Sequence, residues 1–138
     1  MPTTMHDTTR AAKWLVSACR DPEGRLRWLA SAGQAILPLG VRWDAVRIPA
    51  STSPLPPGPI AQDPLIGALY ALVPVGTAAT WSARSTEPMG APRYLQLPAP
   101  HRTGPPGIYW VQPPDGSGLL VDPDELLHAL GRGQDALR

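Results

Sequence analysis

The prolines of this chain leave room only for short elements. Nineteen of its 138 residues are Pro. Each fixes φ, removes a backbone donor and pushes the residue before it out of the helical region. With thirteen glycines they make up almost a quarter of the chain, a share approaching that of disordered segments. Two features oppose disorder. The prolines cluster between apolar runs, and a net charge of +1 gives no self-repulsion to hold the chain open. The reading is a folded domain with stiff, proline-set loops. One hydrophobic core is expected, since a chain of this length buries about two-thirds of the surface it exposes unfolded.

Between the breaks, periodicity assigns the elements. Residues 1–6 read as a tail. Asp7-Thr8-Thr9 caps a helix carrying Ala11, Trp14, Leu15, Ala18 and Cys19 at spacings of three and four. Asp21-Pro22 interrupts it. A second helix follows from Glu23 to Ala32 with Leu26, Leu29 and Ala30 on one side, stopped by Gly33. Strands are expected at Ala35–Leu39, at Arg42–Ile48 with both faces packed and Arg47 needing a partner or solvent, and at Leu69–Val75. The last is apolar nearly throughout and so central. Ala50–Pro59 is loop, Pro64–Ala68 a helical turn, and Ser82–Pro92 loop again. Tyr94–Leu97 and Ile108–Val111 look like the two arms of a hairpin around a loop of four prolines, two glycines, His101 and Arg102. Asp122, Pro123 and Glu125 open a last helix striped by Leu126, Leu127 and Leu130 and ended by Gly131, with 132–138 frayed. Helices segregated from a mostly antiparallel sheet of about five strands define a single α+β domain over 7–131.

Several function classes lose support here. A single cysteine, Cys19, forms no internal disulfide and no thiolate metal site; within a helical pattern it reads as a buried, inert thiol. No signal core and no run of about 18 apolar residues is present, so a cytoplasmic protein without a membrane partner is expected. The three His stand apart at 6, 101 and 128, away from any Ser or Cys nucleophile pattern. No P-loop and no cofactor motif occurs. Asp122-Pro123-Asp124-Glu125 is acidic but placed to cap a helix. Pro74-Val75-Gly76-Thr77-Ala78 can present backbone N–H groups and the Thr77 hydroxyl to an anion, or serve simply as a strand-to-helix turn.

Four segments, taken in order, resemble the N-terminal domain of bifunctional DNA primase–polymerases. "WLASAGQAILPL" (28–39) is similar to that family's opening helix and strand, and "WDAVRIP" (43–49) to the strand that carries its metal-binding acids. "RYLQLPAPHRTGPPGIYW" (93–110) resembles its late hairpin, and "LVDPDELLHAL" (120–130) the helix after it. The chain is also similar to small actinobacterial proteins bearing Trp-Asp, Val-Pro-x-Gly-Thr-Ala and Trp-x-x-Pro-Pro. The resemblance implies a primase–polymerase ancestry and a replication context. The departures imply lost catalysis: Arg47 and Pro49 fall where the family has aspartates, and "LVPVGTAATW" (72–81) lacks its Gly-Gly-x-His motif. A guanidinium in such a site repels Mg²⁺ instead of binding it. The expectation is therefore a non-catalytic domain, with no metal or cofactor, that binds nucleotide or nucleic acid through Arg42, Arg47, Thr77, Arg93, His101 and Arg102. The alternative is a protein-interaction module using the proline-rich loops and exposed Trp.

Overall fold

A computed structural model describes residues 5–136, with side chains placed over 8–131. The expected tail therefore lies mostly outside the described residues, as do 137 and 138. Four helices and seven strands are found in this range: α1 (Met5–Val16), α2 (Pro22–Ala32), β1 (Gln34–Pro38), β2 (Asp44–Pro49), β3 (Ile60–Asp63), β4 (Ala68–Val73), α3 (Thr77–Thr80), β5 (Glu87–Met89), β6 (Tyr94–Pro98), β7 (Tyr109–Gln112) and α4 (Pro123–Ala136). All strand pairs are antiparallel, in a two-stranded ribbon β1-β6 and a five-stranded sheet ordered β5-β2-β4-β3-β7. The class is α+β, as expected.

β4 is the centre of the molecule. All six of its residues are buried, so each face of the sheet needs its own cover. Tyr70 and Leu72 point to one side with Trp43 and Ala45 of the β2 segment, Ala61 and Trp110. This side is closed by Leu15, Val16 and Leu29 of α1 and α2 and by Ala35, Leu37, Leu95 and Leu97 of the ribbon. Leu69, Ala71 and Val73 point to the other, with Val46, Ile48, Ile60 and Trp81, and are closed by Val121, Leu126 and Leu130 around α4. On the first side Trp14 packs on Trp43 with ring centroids 4.8 Å apart. The buried Trp43 Nε1 has no acceptor among the described residues, a desolvation cost of about 1–3 kcal/mol that the ring's packing must offset.

Local signals hold at several joints. Asp21 Oδ1 accepts from Gly24 N at 3.1 Å to start α2, and Gly33, at φ 77°, donates its N–H to Leu29 O to end it. Five expectations need correction. α1 begins at Met5, before the cap expected at Asp7, and α4 runs through Gly131 to Ala136. Pro64–Gly67 is the turn of a β3–β4 hairpin, Asp63 facing Ala68, and is not helical. The supposed loop 82–92 contains β5, where Pro88 is tolerated because β5 is an edge strand.

The largest correction concerns β6 and β7, which do not form a hairpin. β6 pairs with β1 and β7 with β3, so the proline-rich segment between them carries the chain from the ribbon to the far edge of the main sheet. Its ends are tied by Ala99 N to Gly33 O (2.8 Å), Trp110 N to Arg102 O (2.8 Å) and Trp110 Nε1 to Pro98 O (2.8 Å). The 50–59 loop is likewise anchored, because Gln112 Nε2 donates to both Pro56 O and Gly58 O.

Burial sets a direct contrast. Leu72→Ala, at a fully buried site, is expected to cost about 2–5 kcal/mol. Leu65→Ala, at a side chain 92% exposed, should stay within about 0.5 kcal/mol of the parent. Urea unfolding of both variants checks this.

Candidate functional site

The six residues expected to bind a ligand do not converge. Thr77 and its turn are used internally. Asp44, at the start of β2 and buried, accepts from Gly76 N at 2.9 Å and Ala78 N at 3.0 Å through Oδ2, while Thr77 Oγ1 donates to Pro74 O at 2.7 Å. Gly76 reaches this position with φ 99°, a conformation that favours glycine. The turn does hold an anion, but the anion is the protein's own carboxylate. His101 and Arg102 lie at the other end of the ribbon, beside the C-terminus of α2. His101 is exposed. Arg102 is half-buried: Nη2 donates to Pro106 O at 2.6 Å, and its side chain lies over Gly33, where a Cβ would come within 3.1 Å of Nη1.

Two of the six do meet. Arg47 of β2 and Arg93, one residue before β6, share a single carboxylate. Arg47 Nη2 is 2.7 Å from Glu87 Oε2, and Arg93 Nη1 is 2.8 Å from Glu87 Oε1. The β2–β5 register sets Arg47 directly across from Glu87, and the β2–β4 register sets it across from Tyr70. The Arg93 hydrogen bond holds the Glu87 carboxyl below its ordinary range, with Arg47 adding to the effect. Burial, with Asp63 nearby, pushes the Tyr70 hydroxyl up. Arg47 thus has both a partner and solvent, its side chain being 44% exposed.

Arg93 also lines an open trough of about 800 Å³ between α2 and the outer side of the ribbon. Helical spacing brings Asp21, Arg25 and Trp28 to one wall. Antiparallel register brings Pro38 and Tyr94 together on the other, near Ile36. Trp28 and Tyr94 are 59% and 63% exposed, unusually open for aromatic side chains of a small domain. Arg20 and Arg25 stand beside the carboxylate of Asp21, while Arg93 is paired with Glu87. Arg42 is exposed in the β1–β2 turn next to Val41, which also lines the groove. Cys19 lies in the floor; burial pushes its thiol up, more than Arg25 beside it pulls it down, so it is a weak nucleophile near neutral pH.

Arg20, Arg25, Trp28 and Tyr94 are the groove residues that sequence reasoning passed over. Trp28 carried the signal, because it sits off the Leu26–Leu29 side of its own helix.

The chemistry of the remaining polar groups is limited. No group of three or more His, Cys, Asp or Glu side chains able to hold a metal occurs among the described residues. Asp44 and Asp63 lie at opposite ends of the β4 ladder, facing Val73 and Ala68, so no site joins them to each other. His101 instead borders a cavity of about 570 Å³ with Arg10, Thr103 and Asp115. There Arg10 Nη2 donates to Asp115 O, and hydrogen bonds from Ser117 hold the Asp115 carboxyl below its ordinary range. No helix among the described residues is long and apolar enough to cross a membrane.

Comparison of the chain with family models, with curated proteins and with solved structures finds no match.

Three expectations follow. Asp44→Ala leaves two N–H groups without their charged acceptor and should cost about 2 kcal/mol. The melting temperature of neither parent nor variant should move with millimolar Mg²⁺, which differential scanning fluorimetry would show. For Glu87, a folded-state pKa below the unfolded value of about 4.3 means its contribution is present above that pH and lost as pH falls through the lower folded value. The carboxylate is a third exposed, so the loss should be under about 1 kcal/mol. It should be absent in Glu87→Gln when urea midpoints are compared between about pH 6 and pH 3.

Proposed function

We propose that this domain is a non-catalytic binder of single-stranded nucleic acid, in keeping with the replication context its primase–polymerase resemblance implies. The observation carrying the reading is the groove between α2 and the ribbon. It combines two open aromatic side chains, Trp28 and Tyr94, with three guanidiniums, Arg20, Arg25 and Arg93. Single strands are held by this pairing: bases stack on aromatic faces for about 1–3 kcal/mol each, and cations track the backbone. A duplex hides its base faces, so it cannot use Trp28 and Tyr94 in this way. The near-neutral net charge means that attraction is local to the groove and is not a property of the whole surface.

A protein-binding role draws on a different surface. The β3–β4 turn projects Leu65 and Ile66, 92% and 55% exposed, as an apolar knob. The proline-rich 50–59 loop is a weaker candidate than expected, since Pro56 and Pro59 are buried and Gln112 pins its backbone.

Salt separates the two readings. With two phosphates contacted, at Arg20 and Arg25, log K should fall with log[salt] at a slope near −1.4, or roughly 7-fold between about 50 and 200 mM NaCl. Fluorescence anisotropy of a labelled oligo-dT measures this. Trp28→Ala should weaken binding about 10-fold or more. Absence of binding by the parent at the lower salt removes the proposal. An interaction carried by Leu65 and Ile66 would be nearly indifferent to salt and lost in Leu65→Asp.

A further inference from the structure

We infer that Arg47 and Arg93 form a phosphodiester subsite continuous with the groove, and that Glu87 occupies it as an internal stand-in for phosphate in the free protein. The inference rests on the nucleic-acid reading and adds to it the group that governs affinity.

The geometry is that of a bound oxyanion. Each Glu87 oxygen takes one guanidinium, at 2.7 Å from Arg47 and 2.8 Å from Arg93. The two non-bridging oxygens of a phosphodiester offer the same pair of acceptors and the same single negative charge, so the carboxylate and the diester compete for one cation pair. The site is accessible, since Arg47, Arg93 and Glu87 side chains are 44%, 50% and 34% exposed. Exposed ion pairs of this kind are weak, so an arriving phosphate displaces the carboxylate at small cost. Continuity comes from Arg93, which lines the groove on one side and reaches Glu87 on the other. A strand whose bases stack on Tyr94 carries its backbone past the neighbouring residue. Arg47 is held in place by the β2–β5 and β2–β4 ladders and waits behind Glu87.

Exchange of one carboxylate for one phosphate is close to charge-neutral, so in the parent protein this pair adds little to affinity. Removing the resident charge should uncover it. Anisotropy titrations of labelled oligo-dT at several NaCl concentrations would compare the parent, Glu87→Gln, Arg47→Ala, the double variant and Glu125→Gln, with circular dichroism melts to verify folding. Glu87→Gln is expected to bind about 10-fold more tightly at low salt, with a slope steeper by about 0.7 for each phosphate gained. Arg47→Ala should have little effect alone and should abolish the gain in the double variant, a non-additivity that marks direct coupling. Glu125→Gln removes the same charge from α4, across the main sheet, and should bind as the parent does. A Glu87→Gln protein with parental affinity and slope overturns the inference while leaving the groove proposal standing, as does an equal gain in Glu125→Gln. A parent that does not bind at low salt removes both.

Discussion

Two-sided burial of β4 is the constraint from which the architecture follows. A strand apolar on both faces cannot sit at a surface, so the sheet around it must be covered twice. α4 and the Trp81 segment close one side. The other is closed by α1, α2 and the β1-β6 ribbon together. That division of labour makes the groove. Where α2 and the ribbon meet over the core their inner faces are spent on packing, and their outer faces diverge to leave the trough between Trp28 and Tyr94.

Charge is arranged with the same economy. Asp44 is consumed in holding the Gly76–Ala78 turn, and Arg102 in bracing the segment after β6. Glu87 bridges two arginines that would otherwise repel each other across adjacent elements. What remains open to solvent in the groove is Arg20 and Arg25 beside the rings of Trp28 and Tyr94.

The parts of the fold legible in the sequence were those fixed by local chemistry. α2 could be placed from Asp21, Pro22 and Gly33 because a cap, a first-turn proline and a left-handed stop act within a few residues. β4 could be placed from its unbroken apolar run. β3 and β5 were hidden for opposite reasons: β3 is four residues of mixed character behind a proline, and β5 contains one. The false hairpin of β6 and β7 arose because two strand-like runs around a turn-rich loop carry no local mark of which neighbour each will choose. That choice is made by tertiary packing, as Leu97 and Trp110 enter the same cluster from different sheets. The site suffered the same limit. Arg93 could be singled out from the sequence, but its union with Arg25 and Trp28 depends on the α2–ribbon docking, which no spacing encodes.

The ribbon itself has a consequence for how this molecule comes into being. Ala35 pairs with Leu97, so the first strand made must wait for nearly all of the main sheet to be synthesised before it meets its partner. Most strands of the central sheet also take partners from distant stretches, as β3 does with β7. Closing such large loops costs entropy before any contact is gained. During translation, therefore, α1, α2 and β1 leave the ribosome as an amphipathic fragment with nothing to cover it. Pairing of β1 can follow only once the strand at Tyr94 has been made.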